Sequence, residues 1–198
     1  MSFHVRLALL AVALTAAAPS GAAAQWAVTA GIGAARFWGG SREVEGERAF
    51  RPYRPTYFRV GLERTARVGL AVRAYYADAG LALEGSEAVV VVKNALSVFG
   101  VEAGVVAGVA HLGPSARLVV RAGPFLESWS LSGESSHIRA GAVGSVGVEV
   151  GFGRRWSGLL EAGVGVSASP FSQGDLDTGF EPRPLWRRVV QGSLRCNL

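Results

Sequence analysis

The sequence predicts an all-β fold: an eight-stranded antiparallel up-and-down transmembrane β-barrel over residues 25–198, preceded by a cleaved signal peptide over residues 1–24. Three observations predict it. Hydrophobicity alternates with a period of two, the mark of strands whose faces differ chemically. The faces are inverted relative to a soluble sheet: one is continuously aliphatic, the other mostly Gly and Ser with a lone Arg or Glu at intervals, which suits lipid outside and a crowded interior. Short turns alternate with long polar loops around an even number of strands, as in barrels whose turns are periplasmic and whose loops are extracellular.

The pattern is clearest over residues 138–168. Ile138, Ala140, Ala142, Gly144, Val146, Val148, Val150 and Phe152 fall on one face, against Arg139, Gly141, Ser145, Gly147 and Glu149 on the other. After Gly153-Arg154-Arg155 the alternation resumes with Trp156, Gly158, Leu160, Ala162, Val164 and Val166. A link this short makes the pair an antiparallel hairpin.

The chain starts with an export signature. Residues 1–6 contain one Arg, residues 7–18 are an apolar run too short to span a bilayer, and Ala22-Ala23-Ala24 offers a cleavage site before Gln25. Residues 25–38 read as a first strand, with Val28 and Ile32 outward and Thr29, Gly31 and Gly33 inward. Residues 39–55, charged and aperiodic, read as a long loop, and 56–64 as a second strand with Phe58 and Val60 outward and Tyr57, Arg59 and Glu63 inward. A tight turn at 64–67 leads to a third strand from Val68 towards Leu83, which places Arg73 inward, and a loop follows at 84–87.

Residues 88–110 are long and apolar enough for a membrane helix, but their valine run, glycines and alternating second half favour a strand, with Glu102 inward. A turn at 111–116 precedes a fifth strand, 117–129, with Arg121 and Glu127 inward. Pro124 predicts a bulge there because it lacks a ladder donor. Residues 130–137 and 169–184 read as polar loops and 185–198 as the closing strand. Trp26, Phe152 and Trp156 fit one interfacial girdle, and Phe37, Trp38, Tyr76, Trp129 and Trp186 the other.

Composition fits. Hydrophobic residues make up 49% of 198, with 27 glycines and a single Met, which suits small and branched residues in strands. Cys196 is the single cysteine, so no internal disulfide staples the chain. The net charge of +5 comes from Arg residues dispersed singly along strands, which excludes a nucleic-acid footprint.

Strand parity collects Arg59, Glu63, Arg73, Glu102, Arg121, Glu127, Arg139, Glu149, Glu161, Arg187 and Arg195 in the interior. An eight-stranded barrel is only wide enough for side chains to fill, and buried charges must pair, so the set predicts a structural ion-pair network closing the lumen. The alternative is a narrow polar channel or small-ligand barrel. The Gly-x-Gly pairs have no helix after them and are not phosphate loops. Asp175 and Asp177 make a weak cation pair, and Arg42, Glu43, Arg48 and Arg51 of the first loop could face lipopolysaccharide phosphates. No cofactor, metal or catalytic set is indicated.

The alternation, the loop pattern and the terminal strand, with Trp186-Arg187-Arg188 and Gly192-Ser193-Leu194-Arg195, resemble small outer-membrane β-barrels of the eight-stranded OmpA/OmpX/OmpW-like class. The resemblance implies a monomer in the bacterial outer membrane, in contact with membrane lipids and lipopolysaccharide, and dependent on periplasmic chaperones and the barrel-assembly machinery. That class usually ends on an aromatic residue; here Leu198 stands there. Some barrels of this size modify lipid A with a Ser and a His near the outer rim, a place taken here by Ser135, Ser136 and His137. Nucleophile, base and orienter are not arranged as that chemistry needs.

Overall fold

A computed structural model shows a closed antiparallel barrel of eight strands: β1 (Gln25–Glu43), β2 (Ala49–Thr65), β3 (Val68–Glu84), β4 (Val89–His111), β5 (Ala116–Leu131), β6 (His137–Gly151), β7 (Trp156–Ser167) and β8 (Phe180–Asn197). The structure describes residues 25–65, 68–85, 89–131, 136–172, 174, 176 and 179–198. The proposed signal peptide lies outside them, as do Ser135, Asp175 and Asp177. Each strand pairs with its neighbours in sequence, and β1 closes on β8 from Ala27↔Asn197 outward. Closure leaves no free edge to aggregate.

The two ends of the barrel differ. At the turn end lie both described termini, the facing ends of β2 and β3 at Thr65 and Val68, and the links 112–115 and 152–155; the link 44–48 lies at the other, loop end. The wall faces lipid with Ile32, Phe58, Val60, Leu126, Val148, Leu160, Val164, Val190 and Leu194, all exposed. Trp38 and Trp186 stack across the β1–β8 seam with centroids 6.3 Å apart, and Trp156 and Phe152 are exposed at the turn end. This is a transmembrane barrel, apolar outside and charged within.

The ambiguous apolar segment forms a strand, β4, over Val89–His111. Among the described residues no helix is long and apolar enough to cross a membrane. Three other readings are corrected. Residues 39–55 are not a long loop: β1 runs on to Glu43 against β8, and β2 starts at Ala49 against β3, leaving only 44–48 between them. Above the membrane a ribbon needs no apolar face, so polar residues signal nothing against a strand. Pro52 and Pro55 are accommodated because β2 pairs with β1 only up to Ala34↔Thr56, so their missing N–H groups interrupt no ladder there.

Pro124 brings no bulge. The β4–β5 register is the same on either side of it, at Glu102↔Phe125 and Val105↔Ala122. The backbones approach closely there: a Cβ on Gly123 would lie 2.2 Å from the Ala103 carbonyl oxygen. Phe37 and Trp129 are not girdle residues; both are 1% exposed and face inward, where their strand parity puts them.

Candidate functional site

The interior is stacked in layers from the turn end to the loop end. In the first, Glu149 on β6 receives Arg117 at 2.8 Å, Arg195 at 3.0 Å and the Ser157 hydroxyl at 2.8 Å. In the second, Glu63 and Glu161 form a square with two arginines. Arg73 lies 3.3 Å from Glu63 and 3.2 Å from Glu161; Arg121 lies 2.6 Å from Glu63 and 2.8 Å from Glu161. Two of these contacts cross the lumen, Arg121–Glu63 joining β5 to β2 and Arg73–Glu161 joining β3 to β7. Gln191 donates to Glu161 at 2.6 Å and accepts from Arg59, which stands 3.9 Å from Glu102.

In the third layer Glu127 pairs with Arg187 and accepts from the Tyr75 hydroxyl at 2.7 Å and from the Trp129 indole N–H at 3.1 Å. The Arg187 guanidinium also lies 4.0 Å over the centre of the Phe125 ring, a cation–π contact that shares its charge. Small inward residues make this packing possible. A Cβ on Gly100 would stand 2.2 Å from the Tyr75 ring, and one on Gly141 2.2 Å from Phe125.

The structure thus brings together ten of the eleven residues that parity selected. Arg139 is the exception: it is half-buried at the loop end and donates to the carbonyls of Ser169 and Ile138. The reason is position, because its neighbour Glu127 is already filled by Arg187, Tyr75 and Trp129. Gln191, Tyr75, Trp129, Ser145 and Ser157 were not singled out for this network, although parity puts each of them inward. Being uncharged, they carry no signature beyond that parity.

Above the charges the lumen is apolar. Phe37, Tyr57, Val98, Leu96, Trp129 and Leu185 form one buried cluster, with Phe37 and Trp129 edge to face at 5.9 Å. The polar segment after β7 then turns inward over it. The Ser169 hydroxyl donates to the Gly40 carbonyl at 2.6 Å, and buried Phe171 packs against Phe50. No sequence period announces this lid.

At the turn end an open cup of about 350 Å³ is lined by His111, Arg117, Glu149, Trp156, Ser157 and Asn197. Deeper, beside Arg59 and Arg73, the voids are of about 10 Å³, room for about one water.

Among the ion pairs on the ribbons beyond the membrane are Arg48 with Glu43 and Arg51 with Glu84. Hydrogen bonds from these arginines hold both carboxyls below their ordinary range. A lowered pKa means the pairs stabilise fully above the ordinary glutamate value and are lost as pH falls through the lowered one. Protease cutting at 44–48 is therefore expected to stay constant from neutral pH to about 5 and to rise only below about 4. A rise beginning near pH 6 would refute this.

No protein-family model matches the sequence, and no curated protein matches it. Solved structures do. The crystal structure of Neisserial surface protein A is 12% identical, with a TM-score of 0.57, covering 87% of this chain and 97% of that one. That of the outer membrane protein OprG from Pseudomonas aeruginosa is 8% identical, with a TM-score of 0.58, covering 89% and 97%. At such identities the likeness is one of fold.

Proposed function

We propose that the chain is an integral protein of the bacterial outer membrane whose lumen is closed, and whose role is structural or lies in surface interaction at the loop end. The single observation that carries this reading is the paired interior. Arg59, Arg73, Arg121, Arg187 and Arg195 meet Glu63, Glu102, Glu127, Glu149 and Glu161 across the lumen, with only water-sized voids beside Arg59 and Arg73. A selective channel needs sites that an ion enters and leaves. Here each fixed charge is taken by another, and aromatic rings cover the set. Location in the outer membrane is supported by the lipid-type exterior and by the fold shared with outer-membrane barrels.

The same geometry argues for no catalytic role. His137 sits at the start of β6 beside exposed Ser136, outside any enclosed cleft. The turn-end cup is open to small molecules, but it ends on the Arg195–Glu149 pair. In planar bilayers the folded barrel is expected to insert without conductance steps. Stable steps of uniform size would overturn the closed reading and favour the narrow channel.

A further inference from the structure

The lipid-facing wall is largely aliphatic, but at Gly158 and Gly192, as at Gly144 on β6, it carries no side chain. The register sets Gly192 beside Leu160 and Ile32, and Gly158 beside Leu194 and Val150. Gly158 and Gly192 therefore lie diagonally on adjoining strands and floor an apolar groove of about 730 Å³ across β6, β7, β8 and β1. Nothing in the protein fills it: a Cβ on Gly192 would meet no atom within 4 Å, and one on Gly158 only the edge of Phe152 at 3.5 Å. Its size falls among ligand sites, about 300–1,000 Å³.

An apolar slot inside a bilayer gains nothing from the hydrophobic effect, because lipid tails are as apolar as its walls. Occupancy must be chosen by shape and by the head that accompanies the chain. The groove reaches Phe152, and the turn continues through Arg154 and Arg155 to Trp156, all exposed. Neither arginine makes an ion pair among the described residues, and Glu149, the acid nearest Arg154 in the chain, is held by Arg117 and Arg195. Two unpaired cations beside an apolar slot, with aromatic rings at the boundary, complement an amphiphile with a negative head. A second copy suits the face poorly: parallel neighbours related by a two-fold axis along the membrane normal would set Arg154 and Arg155 against the same residues of the other copy.

We propose that this groove binds one anionic phospholipid of the turn-side leaflet, with an acyl chain over Gly158 and Gly192 and its phosphate against Arg154 and Arg155. The proposal rests on the membrane reading above and names a partner for one face of it. The folded full barrel, incorporated into nanodiscs of equal phosphatidylglycerol and phosphatidylcholine, is released into the gas phase for native mass spectrometry. The wild type is expected to retain one phosphatidylglycerol, preferred over phosphatidylcholine by about tenfold or more, as two arginines at the membrane surface support. Arg154→Gln with Arg155→Gln should bring that preference to about one, and Gly192→Leu should abolish retention of either lipid. Equal retention of both lipids by the wild type, unchanged retention in Gly192→Leu, or a lipid-free dimer would overturn the site. A heat-induced gel shift is read on the same samples. Its absence marks failure of the membrane barrel itself, and a normal shift without lipid selectivity marks failure of this site alone.

Discussion

Glu63→Gln is expected to cost the barrel about 3–5 kcal/mol of unfolding free energy, the usual penalty for taking one partner from a buried ion pair. The substitution keeps shape and volume, so no cavity contributes. It removes the charge that faces Arg73 at 3.3 Å and Arg121 at 2.6 Å, with Arg195 a further 4.0 Å away. Glu161 alone must then balance Arg73 and Arg121 in a lumen where both are at most 5% exposed. The measurement is equilibrium unfolding by denaturant in detergent micelles, followed by tryptophan fluorescence and by gel mobility. A loss under about 1 kcal/mol would place the square among surface pairs, whose worth is about 0–1 kcal/mol, and would mean that water reaches it. Removing both partners is the informative control. Glu161→Gln with Arg73→Met should cost less than the two single losses together, because no charge is then left bare.

What the sequence made legible follows from this contrast. A period of two assigns each residue to a face with little ambiguity, so Glu63, Arg73, Arg121 and Glu161 could all be placed inside from parity. Which of them meet was not legible. Arg121 reaches Glu63 from the far side of the lumen, and such contacts depend on how the strands stagger when the sheet closes, which no local pattern encodes. Phe37 and Trp129 show the opposite error. Their parity was inward, but an aromatic near a rim invites the girdle assignment, and that expectation overrode the period. The 39–55 segment was lost for a third reason: the side chains it buries, among them Ser41, Pro52 and Pro55, are not aliphatic, so their burial leaves no apolar period. The inward turn of Ser169–Phe171 was hidden for the same reason, since it is held by the Gly40 carbonyl, the Arg139 side chain and the ring of Phe50.

Trp129→Ala is expected to cost about 3–5 kcal/mol, the range for deleting a large buried aromatic side chain, and yet to leave the barrel non-conducting. Trp129 is 1% exposed, packs edge to face on Phe37 and donates its indole N–H to Glu127 at 3.1 Å. Its loss empties the middle of the apolar cluster and deprives Glu127 of one donor, while Tyr75 and Arg187 still hold that carboxylate. The charge layers beneath do not depend on the indole: the Glu63–Arg73–Glu161–Arg121 square lies nearer the turn end and is tied to β2, β3, β5 and β7. Stability and closure should therefore separate. Denaturant midpoints measured in micelles should fall sharply, while planar-bilayer current stays at baseline. If Trp129→Ala opens steady conductance, the aromatic cap is the gate and the ions below it line a path. If it neither conducts nor loses stability, the cluster is loosely packed and closure belongs to the charges alone.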